Sequence, residues 1–150
     1  KWKYRKLYPK YHGKVILQEM IEGLDHDWKI LIFYDKCFVL KRYTRENDFR
    51  ASGSGNFIYD AVPPHRILNF AYEVIDKLNV PFASLDIVEK DGKCFLIEYQ
   101  TVHFGLITAL NGTKYFELNK LTNNWDQKPK SREVDYFFAD AVVKFIEEKG

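Results

Sequence analysis

The sequence predicts an α+β domain in which helices pack against an antiparallel β-sheet. Two observations carry this. Short apolar runs rich in β-branched and aromatic residues are joined by tight polar turns, Asp91-Gly92 being the clearest hairpin signal. Two other segments repeat apolar residues every three or four positions, the helical period. With 150 residues and 17.8 kDa, the chain is long enough for one domain with a substantial core and too short for two ordinary ones.

In chain order, Val15–Met20 is predicted as a strand entering a polar turn, Glu22–Asp27. Trp28–Tyr34 follows as a second strand, and Asp35-Lys36 is expected to turn tightly into a third, Cys37–Tyr43. Apolar runs rather than clean alternation dominate these strands, so both of their faces should be partly covered. Arg45–Gly55 is polar and glycine-rich, as exposed functional loops are. Pro63-Pro64 precedes a predicted helix carrying Ile67, Leu68, Phe70, Ala71, Val74, Ile75 and Leu78, which Asn79-Val80-Pro81 stops. Phe82–Val88 and Cys94–Tyr99 are predicted strands flanking Asp91-Gly92. Gly105–Trp125 does not declare itself between helix and strand. Ser131 is the expected N-cap of a last helix with Val134, Phe137, Phe138, Ala141, Val142 and Phe145 on one face.

A composition of 46% hydrophobic, 17% aromatic and 29% charged residues excludes disordered, collagenous and low-complexity classes. The longest apolar stretch, Ile30 to Tyr34, is too short to span a bilayer. No secretory signal is visible at the start. Cys37 and Cys94 make neither a disulfide framework nor a metal cluster, so a reducing, cytoplasmic setting is expected.

The net charge of +2 favours neither nucleic acid nor membrane, but its distribution is uneven. Residues 1–14 hold six basic residues and no acid, interleaved with Trp2, Tyr4, Tyr8 and Tyr11. They read as a basic, aromatic N-terminal segment ahead of a domain over 15–150. Single-stranded nucleic-acid surfaces mix cations and aromatics in this way. The edge of a helix or loop that meets another segment does so too, and no ribonucleoprotein motif follows to favour the first.

Three polar clusters remain once the core pattern is removed. Asp86 lies in an apolar strand, and Glu98 and Gln100, two apart on the next strand, share a face that the Asp91-Gly92 hairpin can bring opposite it. Two carboxylates and an amide oxygen suit magnesium with phosphate oxygens completing the shell; an ordinary solvent face would look the same. Lys41, Arg42, Arg45 and Arg50 with Ala51-Ser52-Gly53-Ser54-Gly55 form a plausible anion cradle, or a flexible charged loop, but no P-loop. Gln18-Glu19-Met20-Ile21 with Asp25 and Asp27 is a strand end running into an acidic turn. His12, His26, His65 and His103 show no metal-ligand spacing, and the common hydrolase and zinc motifs are missing.

In this order the clusters resemble the C-terminal half of an ATP-grasp domain, most similar to the ribosomal protein S6 glutamate ligase and glutathione synthetase branch. The matching words are Val15-Ile16-Leu17-Gln18-Glu19-Met20-Ile21, Asp27-Trp28-Lys29, Asn47-Asp48-Phe49-Arg50-Ala51-Ser52, Leu85-Asp86-Ile87 and Leu96-Ile97-Glu98-Tyr99-Gln100. The resemblance implies a ligase that phosphorylates a carboxylate with ATP, releases ADP and passes the acyl phosphate to an amine or related nucleophile. It implies that Gln18, Glu19, Met20 and Ile21 hold adenine and that Asp27 contacts the ribose. Arg42 and Ser52 would face the phosphates, and Arg50 would act catalytically on the phosphates or acyl phosphate. Asp86, Glu98 and Gln100 would hold Mg2+. Such phosphoryl transfer needs positioning and charge neutralisation more than covalent help.

The sequence departs from the family in three places. Gln100 stands where asparagine is usual, the Asn-x-x-Pro-Gly continuation is replaced by Gln100-Thr101-Val102-His103-Phe104-Gly105, and only Lys1–Lys14 precedes the predicted strand Val15–Met20. The lysine-bearing N-terminal half of the family domain is therefore expected from elsewhere in the same protein, or from another chain, and the 150 residues alone are expected to be inactive. The alternative is a non-catalytic module on the same scaffold that binds a protein partner.

Overall fold

The computed structural model describes residues 18–45, 51, 53 and 55–150. Among them, one sheet contains seven strands: β1 (His26–Phe33), β2 (Lys36–Tyr43), β3 (Phe57–Tyr59), β4 (Phe82–Lys90), β5 (Lys93–Gln100), β6 (Lys114–Asn119) and β7 (Asn124–Pro129). The helices are α1 (His65–Leu78), α2 (Ile107–Asn111) and α3 (Val134–Lys149). The strand order is β5-β4-β1-β2-β6-β7, all pairs are antiparallel, and β3 pairs with β2 off this path. The chain is thus an α+β protein with an antiparallel sheet. No helix among the described residues is long and apolar enough to cross a membrane.

Several boundaries differ from the sequence expectation. Val15–Leu17 of the predicted first strand lies outside the described residues, while Gln18–Met20 is exposed and irregular. β1 starts at His26, so Asp27 sits in a strand rather than in the preceding turn. The hairpin turn is Tyr34-Asp35, not Asp35-Lys36: Phe33 pairs with Lys36, and Tyr34 takes the positive φ of 55°. A tyrosine there sends none of the usual turn signal, which comes from glycine or asparagine. Gly105–Trp125 resolves into α2, β6 and the start of β7. Glu133, not Ser131, is the N-cap of α3, with extended backbone and no side-chain cap. Burial of Val134 sets that helix start, where a cap would otherwise have to.

Side chains of β1 alternate between two cores, as the period of a strand requires. Trp28, Ile30 and Ile32 meet Cys37, Val39, Ala83, Leu85 and Ile87 under Ile67, Leu68, Ala71 and Ile75 of α1. On the opposite face Leu31, Phe33 and Phe38 meet Ala109 of α2 and Phe137 and Ala141 of α3. Edge-on aromatic pairs fill this second core, with Phe33–Phe138 at 4.8 Å and Phe38–Phe137 at 4.9 Å between centroids. Both faces of the central strands are therefore covered, in line with their apolar runs.

An ion network locks α3 over the β1–β2 turn. Lys36 Nζ, on a side chain only 5% exposed, lies 2.6 Å from Asp140, 2.9 Å from Asp35 and 3.1 Å from Glu117. Lys144 Nζ lies 2.6 Å from the other Asp35 oxygen. The α2 and α3 layer covers only the turn end of this face. The far end, where β1, β2, β4 and β5 carry Asp27, Arg42, Asp86 and Glu98, opens into a cavity.

Candidate functional site

Strand register assembles the site. β1 pairs with both β2 and β4, placing Asp27 opposite Arg42 and Lys29 opposite Asp86. β4 pairs with β5, placing Asp86 opposite Glu98 and Ser84 opposite Gln100. Cross-strand partners point to the same face, so these polar side chains share the face of Leu31 and Phe33, one step beyond the α3 contact. The register then shifts between Asp86 and Ile87, leaving Ile97 unpaired beside Glu98. Such a bulge re-aims side chains, and bulges are frequent next to binding sites.

Arg42 holds Asp27 through two bonds, Nε to Oδ1 and Nη2 to Oδ2, each 2.7 Å. The same Nη2 reaches Asp86 Oδ2 at 2.8 Å, and Lys29 Nζ donates to Asp86 Oδ1 at 3.2 Å. These four side chains are between 8% and 17% exposed, so their charges are poorly screened by water. Burial lifts the Asp27 carboxyl above its usual range, and the Arg42 guanidinium offsets only part of that. Burial would lower Arg42, but its bonds to Asp27 and the Asp86 charge outweigh it, and the guanidinium is raised.

The cavity has a volume of about 460 Å³, within the range of small-molecule sites. Gln18, Glu19, Met20, Ile21, Asp27, Arg42, Asp86 and Glu98 all line it, so eight of the eleven candidate residues meet there. Arg50 and Ser52 lie outside the described residues, although buried Ala51 between them lines the cavity. Gln100 is not in the cavity wall. Its amide Nε2 donates to Glu98 Oε1 at 2.9 Å, which leaves its carbonyl oxygen uncommitted by that bond. Asp27, expected against a ribose, gives both oxygens to Arg42 in this arrangement.

The anion cradle separates. Arg42 faces the cavity, but Lys41 projects to the other face, with Nζ 4.8 Å from the Tyr43 ring centroid and 5.4 Å from that of Trp28. Strand alternation forces that split on adjacent residues. Arg45 donates to the Gly53 carbonyl at 2.9 Å.

Lys29, present in the sequence motif Asp27-Trp28-Lys29 but given no role there, pairs with Asp86, although it is not in the cavity wall. The signal was present: a lysine two positions from Asp27, inside an otherwise apolar strand. Leu24, Val88 and Ile97 also line the cavity and give it an apolar side.

For a divalent cation, the donor chemistry fits in one respect and is incomplete in another. Asp86 and Glu98 are hard carboxylates on directly paired positions, and Gln100 adds an amide oxygen beside Glu98. Among the described residues, however, no group of three or more His, Cys, Asp or Glu side chains is placed to hold a metal. A cation there would need oxygens from a ligand. No protein-family model and no curated protein matches the sequence.

Proposed function

We propose that this chain is the C-terminal half of an ATP-grasp domain of the ribosomal protein S6 glutamate ligase and glutathione synthetase branch. It binds ATP with magnesium for a carboxylate–amine or related ligation. One observation carries the reading: Gln18–Ile21, the Asp27–Arg42 pair and the Asp86–Glu98 pair, far apart in sequence, line one cavity of nucleotide size.

In this reading Met20, Ile21, Leu24, Val88 and Ile97 offer apolar surface for a flat base. Asp27 holds Arg42 through two bonds, which keeps its guanidinium at the cavity where phosphate would bind. The family resemblance would assign Arg50 and Ser52, which lie outside the described residues, to the phosphates. Asp86 and Glu98, with the Gln100 amide oxygen beside Glu98, would hold magnesium, whose charge would offset that of the phosphate oxygens. A substrate carboxylate oxygen attacks the terminal phosphorus, the bond to the β-phosphate oxygen breaks, and ADP leaves. The amine then attacks the acyl carbon, expels phosphate and loses its proton to solvent. A lysine-bearing half completes the phosphate site, and a cytoplasmic location agrees with the free thiols Cys37 and Cys94.

Calorimetric titration with ADP and magnesium, beside Asp86→Asn, tests this. Magnesium-dependent binding that is lost in the variant is expected. Absence of binding by the full-length protein overturns the nucleotide reading and leaves the non-catalytic module.

A further inference from the structure

Asp86 carries a cation on each oxygen, Lys29 on Oδ1 and Arg42 on Oδ2. We propose that Lys29 and Arg42 are internal counter-ions that bar Asp86 to a divalent cation until a polyphosphate anion draws them away. This rests on the nucleotide reading and adds to it an order of events: anion first, then metal.

The physical case is one of competing charges. A divalent ion arriving alone meets Arg42 in the cavity wall and finds both Asp86 oxygens taken, by Arg42 and by Lys29, and must displace both cations from their carboxylate. Glu98 is exposed, and among the described residues its hydrogen-bond partner is the neutral amide of Gln100 rather than a cation. Alone it is a single carboxylate ligand, too few for a hard cation that wants about six oxygens. A phosphate chain changes both terms at once. It offers Lys29 and Arg42 an anion of higher charge, and it brings its own oxygens to the metal. Asp86 is then free to turn from counter-ion to ligand. Asp27 keeps Arg42 anchored through both Nε and Nη2, so it is the Asp86 carboxylate that turns away from the shared Nη2. Among the described residues Lys29 makes its ion pair with Asp86 alone, so its release is the step that a substitution can isolate.

This predicts opposite effects of one substitution. In Lys29→Gln, Mn2+ alone, followed by electron paramagnetic resonance, binds at least about fivefold tighter than in the unmodified protein, the low end of ordinary site-to-site coupling. In the same variant ADP under chelator, followed by calorimetry, binds at least about fivefold weaker. Adding Asp86→Asn removes the gained Mn2+ binding. Lys29→Met repeats the test without a polar replacement, and circular dichroism checks each fold. A purely structural lysine would move both affinities the same way or neither. Unchanged or weakened Mn2+ binding in both Lys29 variants overturns the proposal. Absence of ADP binding to the unmodified protein sinks the nucleotide reading on its own, while the Mn2+ arm decides the counter-ion role independently of it.

Discussion

Arg42 on β2 and Asp86 on β4 are joined at 2.8 Å although their strands do not pair; the contact crosses over β1, which lies between them. The guanidinium can make it because Asp27, its register partner on β1, holds the other side of the fork. Three strands are thus tied by one side chain, at the open end of a face whose other end is sealed by α3.

Replacing that side chain should be costly. Arg42→Met leaves Asp27 and Asp86, both largely buried at 14% and 15% exposure, with Lys29 as their one nearby cation among the described residues. Breaking a buried pair from one side costs about 3–5 kcal/mol. Urea denaturation at neutral pH should show a loss of that order. Combining it with Asp27→Asn should cost less than the sum of the single changes, since the stranded charge is then removed.

Glu98→Gln should separate binding from stability. The side chain is exposed, and the amide oxygen of the replacement can still accept from Gln100. Its melting curve should match the unmodified protein within the ±0.5 kcal/mol usual for surface changes. Calorimetry should show magnesium-dependent ADP binding abolished. Binding retained in this variant would remove Glu98 from the metal set.

Acid should unlock the network under α3. Burial opposes ionisation of Asp35 and Glu117, but bonds from Lys144 and Lys36 to Asp35, and from Lys128 and Lys36 to Glu117, prevail, and both carboxyls are lowered. A carboxyl lowered on folding contributes stability that is complete above its unfolded value, 3.8 for Asp and 4.5 for Glu, and lost as pH falls through the lower folded value. Urea midpoints should therefore be flat above pH 5 with respect to these groups and drop below pH 4. In Lys36→Met the carboxylates lose their shared cation, so the acid drop should shrink while stability at pH 7 falls.

Phe137 is the aromatic hinge of the second core. It is 1% exposed, with ring centroids 4.9 Å from Phe38 and 5.1 Å from Tyr115. Phe137→Ala should cost about 3–5 kcal/mol. Val143→Ala, on the exposed side of the same helix, should cost much less. Comparable losses in a denaturation series would contradict the assignment of α3's buried face.

Much of the fold was legible because its signals are local. The spacing of Ile67, Leu68, Ala71 and Ile75 needs nothing but the helical period to be read, and those are the residues α1 buries. Asp91-Gly92 supplies both positive φ values of its hairpin, 52° and 74°, from residues that tolerate them. Elements that depend on distant packing were harder. β6 shows only Phe116 and Leu118 as buried alternation, too short to stand out within Gly105–Trp125. The Tyr34-Asp35 turn is held by its flanking strands and by Tyr34 N–H donating to the Pro81 carbonyl, with no turn residue to announce it.

The sequence by itself determined which side chains could do chemistry: the carboxylates Asp27, Asp86 and Glu98, and Arg42 among its neighbouring cations. It also determined the pairing of β4 with β5, because that hairpin is closed by its own turn. Only the tertiary structure decided that Lys29 belongs with them, that Lys41 does not, and that Asp86 already has a cation on each oxygen. Periodicity assigns a residue to a face, but register across strands distant in sequence decides which charges meet.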